Sequence, residues 1–296
     1  MAKQNFILPS PIQELHSPLL EQKSVRLFIK RDDLIHPVIS GNKWRKLKFN
    51  LIEAKRQQLP FLTFGGAYSN HIHAVAGAGK LFDIRTIGII RGEENLPLNP
   101  TLQFAKNQGM KLHYISRKDY RQKNNPELYN QFKKLFGPYY LVPEGGSNSL
   151  ALPGVAEIIT ELDQQLNYDS VVTACGTGGT IAGLLSSKSK KHFLGIAVLK
   201  GADFLRKDVK ALYSPSKQQS WDINLDYHFG GYAKYNKTLL EFITEFEETF
   251  QIKIEPIYTA KMFYGLFDLI EKNTFKKNST IIALHTGGLQ GIKKNR

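Results

Sequence analysis

The sequence predicts an α/β protein with largely parallel sheets, and two observations carry this prediction. Short apolar segments with the composition of strands alternate with longer amphipathic segments, a pattern typical of parallel strands connected by helices. Glycine-rich segments recur where predicted strands end, at 65–71, 143–149, 174–180 and 285–288. Ligands of open α/β sheets bind at the carboxyl ends of strands. The four segments therefore predict a cleft built from several loops, compatible with a position between two sheets.

The individual elements follow from the same alternation, because strand segments are short and apolar whereas helical segments are longer and amphipathic. The predicted strands cover 26–30, 61–64, 86–90, 111–115, 139–142, 170–174, 193–198 and 280–284. The predicted helices include 43–57, 71–81, 100–107, 153–166, 237–249 and 264–271. The chain has no internal repeat, and no linker rich in Pro and Ser divides it.

Composition excludes several classes of protein. The chain has 296 residues, of which 42% are hydrophobic and 22% charged, as in ordinary globular proteins. A single cysteine excludes an intramolecular disulfide framework and a cysteine-rich metal site. No apolar run approaches the roughly 20 residues that a membrane helix needs, and the short apolar stretch near the N-terminus, broken by Pro9, does not fit a signal peptide. We therefore expect a soluble cytoplasmic protein with no membrane partner.

The positive charge of the chain has two interpretations. The net charge is +14, from 40 Lys and Arg against 26 Asp and Glu, and an excess of this size is also found in nucleic-acid-binding proteins. The basic residues are spread along the chain, however, and no zinc finger or RNA-binding signature accompanies them. We expect a lysine-rich solvated surface and no nucleic-acid partner. The charge still favours anionic ligands.

The segment from Val171 to Leu185 is the clearest candidate for an anion site. An apolar strand runs into a glycine-rich turn and then into the helix-forming sequence IAGLL. Glycines let backbone N–H groups turn inward, and the helix start adds partial positive charge, which suits a phosphate monoester. The segment is neither a Walker A loop nor a dinucleotide fingerprint. A turn without a ligand remains the alternative. The residues concerned are Gly176, Thr177, Gly178, Gly179 and Thr180.

Two further segments carry candidate reactive and ligand-binding residues. Lys43 stands at the beginning of a predicted helix, where the helix dipole lowers the pKa of an ammonium group. A neutral lysine amine can form a Schiff base with an aldehyde cofactor, so Lys43 together with a phosphate loop points to pyridoxal phosphate. Ser69, Asn70 and His71 open another helix, which Ser69 or Asn70 can cap. The Ser69 hydroxyl and nearby amides can also hold a substrate carboxylate. The histidines at 71 and 73 are not spaced as a metal pair, and we predict no metal.

Six motifs in one order resemble a known family. They are RDDL at 31–34, GNKWRKL at 41–47, GGAYSNH at 65–71, GTGGT at 176–180, EPIYTAK at 255–261 and HTGG at 285–288. Together they resemble the pyridoxal-phosphate-dependent D-cysteine desulfhydrases and 1-aminocyclopropane-1-carboxylate deaminases, which have the tryptophan synthase β-like fold, called fold type II. The resemblance covers roughly residues 9 to 290. It implies two open α/β domains with the cofactor in the cleft between them, usually in a homodimer. The implied large domain is 1–44 with 153–296, and the small domain is 45–152.

The resemblance also implies roles for individual residues. Lys43 resembles the Schiff-base lysine, and residues 176–180 resemble the phosphate-binding loop. Asn70 resembles the partner of the cofactor's phenolic oxygen, His71 a residue near its ring, and Thr286 the residue at its pyridine nitrogen. Ser69, Tyr258 and Tyr232 resemble residues that face the substrate.

Two positions favour one branch of this family. Deaminases that open the cyclopropane ring typically carry Glu after the active-site tyrosine and Leu in place of the HTGG threonine, whereas this chain has Thr259 and Thr286. A neutral hydroxyl at the pyridine nitrogen is adequate when the β-substituent leaves readily, as thiolate does. We expect α,β-elimination from a small amino acid, with D-cysteine first and ring opening or another D-amino acid as alternatives. Lys43 is the expected base, with Ser69 or Tyr258 as alternatives.

Overall fold

The computed structural model describes residues 6–291, which form two separate sheets. The strands are β1 (Ile12–Leu15), β2 (Arg26–Lys30), β3 (Phe61–Gly66), β4 (Thr86–Arg91), β5 (Lys111–Ile115), β6 (Tyr140–Val142), β7 (Ser170–Cys175), β8 (His192–Ala197), β9 (Trp221–Asn224) and β10 (Thr280–Leu284). The larger sheet has the order β1-β2-β10-β7-β8-β9, and the smaller has the order β5-β4-β3-β6. All neighbouring strands are parallel except β1 and β2.

The helices cover both faces of these sheets. They are α1 (Pro18–Lys23), α2 (Asn42–Arg56), α3 (Asn70–Phe82), α4 (Pro100–Asn107), α5 (Arg117–Arg121), α6 (Pro126–Phe136), α7 (Ala151–Gln165), α8 (Gly179–Ser186), α9 (Leu205–Leu212), α10 (Lys237–Phe250) and α11 (Thr259–Glu271). Short 3-10 helices lie at Asp32–Leu34, Glu144–Gly146 and Leu289–Gly291. Within residues 6–291, none of the helices has the length and apolar character that crossing a membrane requires.

The larger sheet is buried on both faces. Successive side chains of a strand point to opposite sides, and helices pack on each side. Val171 and Ile282 face one apolar cluster with residues of α7 and α8. Their neighbours Val172 and Ile281 face a second cluster, which residues of α10 and α11 complete. This double burial explains why β7 and β10 read as continuous apolar runs in the sequence.

The smaller sheet follows the same principle. Phe61 packs with residues of α2, α3 and α4 on one face. Leu62 and Phe64 pack on the other face against residues of α5 and α6, such as Phe132. Two helical layers therefore hold the carboxyl ends of β3 and β4 in place.

Helix α2 is tied to the larger sheet by a buried ionic network. The Arg45 guanidinium lies 2.9 Å from Asp32 Oδ1 and 2.6 Å from Glu161 Oε1, and Lys30 Nζ lies 2.7 Å from Glu161 Oε2. Helix α7 crosses α2 closely, since a Cβ added at Gly154 would lie 2.0 Å from the Arg45 carbonyl oxygen. Loss of one partner of a buried ion pair is destabilising. The network therefore holds Arg45 in place, and with it the start of α2.

The predicted α/β class is confirmed, and all eight predicted strands are present with small changes in their limits. The chain also contains β1, β9 and the helices α1, α5, α6 and α9, which the sequence reading does not include. Helix α11 begins at Thr259 rather than at residue 264. The strands of the smaller sheet lie between residues 61 and 142, but the precise domain limits remain a prediction.

Candidate active site

The carboxyl ends of strands from both sheets meet at a cavity of about 350 Å³, within the range of pockets that hold small ligands. All four glycine-rich segments contribute to its lining. The structure also brings every sequence-predicted site residue to this cavity. They are Lys43, Ser69, Asn70, His71, Gly176, Thr177, Gly178, Gly179, Thr180, Tyr232, Tyr258 and Thr286.

The turn between β7 and α8 forms one end of the cavity. Gly178 adopts φ +73°, and a Cβ there would lie 2.8 Å from Val209 Cγ2. A Cβ on Gly179 would lie 2.1 Å from Ser147 Oγ, so both positions require glycine. No side chain caps the start of α8. Its first backbone N–H groups therefore suit an anion such as a phosphate.

Lys46 faces the same turn, and the sequence prediction does not include it. The residue is 3% exposed, its Nζ donates to Ser147 Oγ at 3.3 Å, and it lies 3.1 Å from where a Gly179 Cβ would be. Burial, followed by repulsion from the Lys43 amine, lowers the pKa of Lys46 to about 7. No carboxylate among residues 6–291 forms an ion pair with this amine within 4.0 Å. An anion on the turn would supply the missing negative charge.

The Lys43 amine is linked to the glycine-rich turn through one side chain. Lys43 Nζ donates to Asn42 Oδ1 at 3.0 Å, and Asn42 Nδ2 donates to Thr180 Oγ1 at 3.1 Å. Burial lowers the pKa of Lys43 to about 8, although nearby Glu255 opposes this shift. The amine therefore has an appreciable neutral population near neutral pH, which a nucleophilic lysine requires.

The start of α2 is held against the loop that follows β10. Gly41 has φ +60°, and a Cβ there would lie 2.0 Å from the Thr286 carbonyl oxygen. This backbone approach brings Thr286 beside the helix that carries Lys43. Only glycine allows both the backbone conformation and the contact.

Ser69 and Asn70 lie at the start of α3. Ser69 Oγ accepts hydrogen bonds from the N–H groups of His71 and Ile72, at 3.2 and 3.3 Å, which makes Ser69 the helix cap. Its own hydroxyl proton stays available for a ligand. Asn70 Oδ1 accepts a hydrogen bond from Gln290 Nε2 at 2.8 Å, so the loop after β10 also contacts this helix.

His71 is a neutral acceptor at the cavity. Its Nε2 lies 2.8 Å from Thr63 Oγ1, and the Thr63 hydroxyl donates to the Val142 carbonyl at 2.8 Å. Because that hydroxyl has only one proton, His71 Nε2 must donate, and we assign the remaining lone pair to Nδ1. Burial, followed by the charges of Lys43 and Lys46, holds the pKa of His71 well below its usual value. Nδ1 is buried and has no hydrogen-bond partner in the described chain.

Two tyrosines line the cavity next to Gly176. A Cβ on Gly176 would lie 3.0 Å from Tyr258 Cε1, and the Tyr232 ring meets the Tyr258 ring edge-on at 6.0 Å between centroids. Glu255 Oε1 accepts the N–H of Tyr258 at 2.9 Å and that of Thr259 at 2.7 Å, which fixes the start of α11. Burial, together with Tyr232, raises the pKa of Tyr258 well above its ordinary value, so its phenol remains protonated.

Comparison with known proteins gives this geometry a context. The sequence profile of the family described as "Pyridoxal-phosphate dependent enzyme" matches residues 3–287. The chain belongs to this family. The protein is therefore a pyridoxal-phosphate-dependent enzyme, as the six motifs predict.

Individual relatives belong to one group within this family, the D-cysteine desulfhydrases and 1-aminocyclopropane-1-carboxylate deaminases. The chain is 34% identical to the mitochondrial bifunctional D-cysteine desulfhydrase/1-aminocyclopropane-1-carboxylate deaminase of Arabidopsis thaliana, with 96% of this chain and 77% of that protein covered. It is 32% identical to a putative 1-aminocyclopropane-1-carboxylate deaminase of Thermotoga maritima, with 96% and 95% covered. A crystal structure described as that of a 1-aminocyclopropane-1-carboxylate deaminase homologue superposes with a TM-score of 0.80 at 28% identity. The match covers 97% of this chain and 91% of that chain. The predicted fold, family and cofactor are confirmed.

The residues of this pyridoxal-phosphate enzyme fit its cofactor. The turn at 176–180 and the buried Lys46 amine offer N–H groups and positive charge to a phosphate, and Lys43 offers an amine to an aldehyde. The unpaired Nδ1 of His71, a residue that lines the same cavity, offers a further polar contact. The roles of the individual residues remain proposals, which rest on this geometry and on the motif resemblance.

Several residues of the site are not predicted from the sequence. Asn42, Lys46, Arg91 and Glu144 all line the cavity. Lys46 lies three residues after Lys43, and this spacing places both on one helix face, which is the signal that would have identified it. Helix α2 is not a solvated basic helix at this point, because Arg45 is 0% exposed.

Cys175 also lines the cavity. It is buried, and burial raises the pKa of its thiol to about 12, so it stays protonated rather than forming a reactive thiolate. Among residues 6–291, no group of three or more His, Cys, Asp or Glu side chains could hold a metal ion.

Proposed function

We propose that this enzyme is a lyase that removes the β-substituent of a small amino acid, with D-cysteine as its first substrate. The products are then pyruvate, ammonia and hydrogen sulfide. The observation that carries the proposal is the Lys43 amine facing the same cavity as the turn at 176–180 and the two tyrosines. The desulfhydrase branch of the family is supported by Thr286, a residue with a neutral hydroxyl that lines the cavity.

When bound, pyridoxal phosphate supplies an electron sink for the charge that develops at the substrate's α-carbon. Lys43 Nζ is the group that accepts the α-proton. Its pKa of about 8 leaves roughly a tenth of such amines neutral at pH 7. Ser69 and Tyr258 are weaker candidates, since Ser69 is committed to capping α3 and the pKa of Tyr258 is raised.

Other residues bind and orient the substrate. The Ser69 hydroxyl and the start of α3 hold the α-carboxylate, because a helix N-terminus favours an anion. The protonated Tyr258 phenol donates a hydrogen bond to the departing sulfur. The C–S bond breaks with its electron pair leaving on sulfur, and the unsaturated amine that remains is hydrolysed to pyruvate and ammonia.

A second candidate is ring opening of 1-aminocyclopropane-1-carboxylate, which is supported by the names of the Arabidopsis and Thermotoga relatives. The test is to incubate the purified enzyme, loaded with cofactor, with D-cysteine, L-cysteine, D-serine and 1-aminocyclopropane-1-carboxylate. Sulfide and pyruvate from D-cysteine are expected. Formation of 2-oxobutanoate alone would establish ring opening. Sulfide from L-cysteine alone, or no turnover of D-cysteine at full cofactor occupancy, would refute the assignment.

We also propose that the enzyme is a cytoplasmic homodimer, which is supported by the family resemblance. Sedimentation of the purified protein tests the dimer, and a mass of one chain would refute it. Fractionation of the source cells tests the location.

A further inference from the structure

The outer edge of the cavity carries an arginine to which the proposed reaction assigns no role. Arg91 is the last residue of β4 and pairs with Gly66 of β3. Its Nη2 lies 3.9 Å from where a Gly66 Cβ would be. Arg91 lines the cavity together with Ser69, Glu144 and Tyr232. The guanidinium therefore shares the cavity with Ser69 and Tyr232, which the proposed function assigns to the substrate, whereas Lys46 donates to Ser147 beside the glycine-rich turn.

The charge of Arg91 is not balanced by a protein group. No carboxylate among residues 6–291 lies within 4.0 Å of its guanidinium, whose nearest recorded partner is the Tyr120 ring, at 5.8 Å from the centroid. Glu144 lines the same cavity, but its Oε2 lies 3.4 Å from Lys123 Nζ. Glu144 therefore already has a partner, and Arg91, Lys123 and Glu144 together carry one net positive charge.

Arg91 is also close to a tyrosine that faces the substrate. Burial raises the pKa of the Tyr232 phenol, and among the charges that act on it Glu144 raises and Arg91 lowers that pKa. Tyr232 in turn meets Tyr258 edge-on. Arg91, Tyr232 and Tyr258 all line the cavity, which groups the guanidinium with the two tyrosines that the proposed function assigns to the substrate.

We propose that Arg91 forms a subsite for an anionic group on the side chain of the amino-acid substrate. This inference rests on the proposed function, in which Ser69 and the start of α3 hold the α-carboxylate, so that a second negative charge meets the guanidinium. Arginine binds carboxylates and similar oxyanions in a bidentate fashion. The subsite selects β-substituted amino acids whose substituent carries a negative charge over neutral ones of equal size.

Aspartate and asparagine form a matched pair of probes, because they are nearly isosteric and differ by one charge. Each is titrated calorimetrically, as D and L enantiomers, into the cofactor-loaded wild-type enzyme and into the variants R91Q, R91K and K106Q. The wild type is expected to prefer aspartate. In R91Q the affinity for aspartate falls about 10- to 100-fold, as loss of a hydrogen bond between charged groups predicts, while the affinity for asparagine is unchanged. R91K keeps part of the preference.

K106Q is the matched control, since it removes one positive charge from an exposed residue of α4 that does not line the cavity. It should leave the preference for aspartate in place. Equal losses of aspartate and asparagine in R91Q would overturn the inference, because they would mean that Arg91 binds the α-carboxylate. An equal effect of K106Q, or no binding of aspartate to the wild type, would overturn it too.

Binding does not require turnover, so this inference and the proposed function fail separately. A preference for aspartate that depends on Arg91, in an enzyme that releases no sulfide from D-cysteine, would refute the lyase assignment alone. Release of sulfide without that preference would refute the subsite alone.

Discussion

Replacing Lys46 by methionine should stabilise the cofactor-free protein at neutral pH and weaken its binding of phosphate. Lys46 is 3% exposed, and burial lowers its pKa from 10.5 to about 7. The unfolded chain keeps the ordinary pKa, so between pH 7 and about 10.5 the unfolded state binds more protons, and stability rises with pH. A shift of this size corresponds to about 5 kcal/mol at its upper limit. Methionine avoids this cost, since it buries no charge.

The assay is urea unfolding of the cofactor-free wild type and K46M between pH 7 and pH 10. The advantage of K46M in free energy of unfolding should be largest near pH 7 and should disappear as the pH approaches 10.5. Taking the difference between the two proteins removes the parallel contribution of Lys261, whose pKa is also lowered by burial. The Lys43 amine repels Lys46, so the relief of that repulsion stays in the difference.

The control for this prediction is K48M on the same helix. Lys48 is half-exposed and pairs with Glu157, so its removal should change stability by less than about 1 kcal/mol. Phosphate should stabilise the wild type and fail to stabilise K46M. A difference between wild type and K46M that does not vary with pH, or equal protection of both by phosphate, would refute the reasoning.

Three further predictions concern the same cavity. Lys43→Ala should abolish the visible absorbance of the bound cofactor, and Lys43→Arg should not restore it, because an arginine cannot take the place of the amine. Gly179→Ala should reduce cofactor affinity at least tenfold, since its Cβ would lie 2.1 Å from Ser147 Oγ; adding Ser147→Gly should recover part of the loss in a fluorescence titration. Lys261→Met should unfold at a lower temperature and raise KM more than it lowers kcat, because Lys261 Nζ donates to the carbonyls of His228 and Gly231 at 2.8 and 2.7 Å, next to Tyr232. An unchanged KM would show that this amine does not position the tyrosine.

The glycine-rich ends of the strands could be predicted from the sequence because their signals are local. A strand that ends in several glycines and then begins a helix is recognisable without tertiary information. Parallel topology then places such ends at one edge of a sheet. The turn at 176–180 and the segment around Ser69 are examples, and both line the cavity.

The missed elements have weak local patterns. Strand β1 has the sequence IQEL and β9 has WDIN, and both are edge strands of four residues. Short edge strands carry polar residues because one side of the strand is not paired. The predicted start of α11 is too late because the polar residues Thr259 and Lys261 suggest a loop. In the structure both side chains are fully buried within the helix.

The charged residues of the site depend on tertiary structure. Arg91 and Glu144 follow different strands, 53 positions apart in sequence, and come together only because β3 pairs with both β4 and β6. The burial of Arg45 requires Asp32 and Glu161, which belong to other elements. Spacing shows that Lys43 and Lys46 share one helix face, but no local pattern shows that Arg45 is buried as well.

Strand β10 lies in the middle of the larger sheet, between β2 and β7, although it comes from residues 280–284. A growing polypeptide on the ribosome therefore cannot assemble this sheet until residues 280–284 have been synthesised. Until then, β2 and β7 present unpaired edges, which favour association with other chains. Any truncation before residue 280 would have the same effect, and we expect such shortened chains to aggregate rather than accumulate as a smaller folded protein.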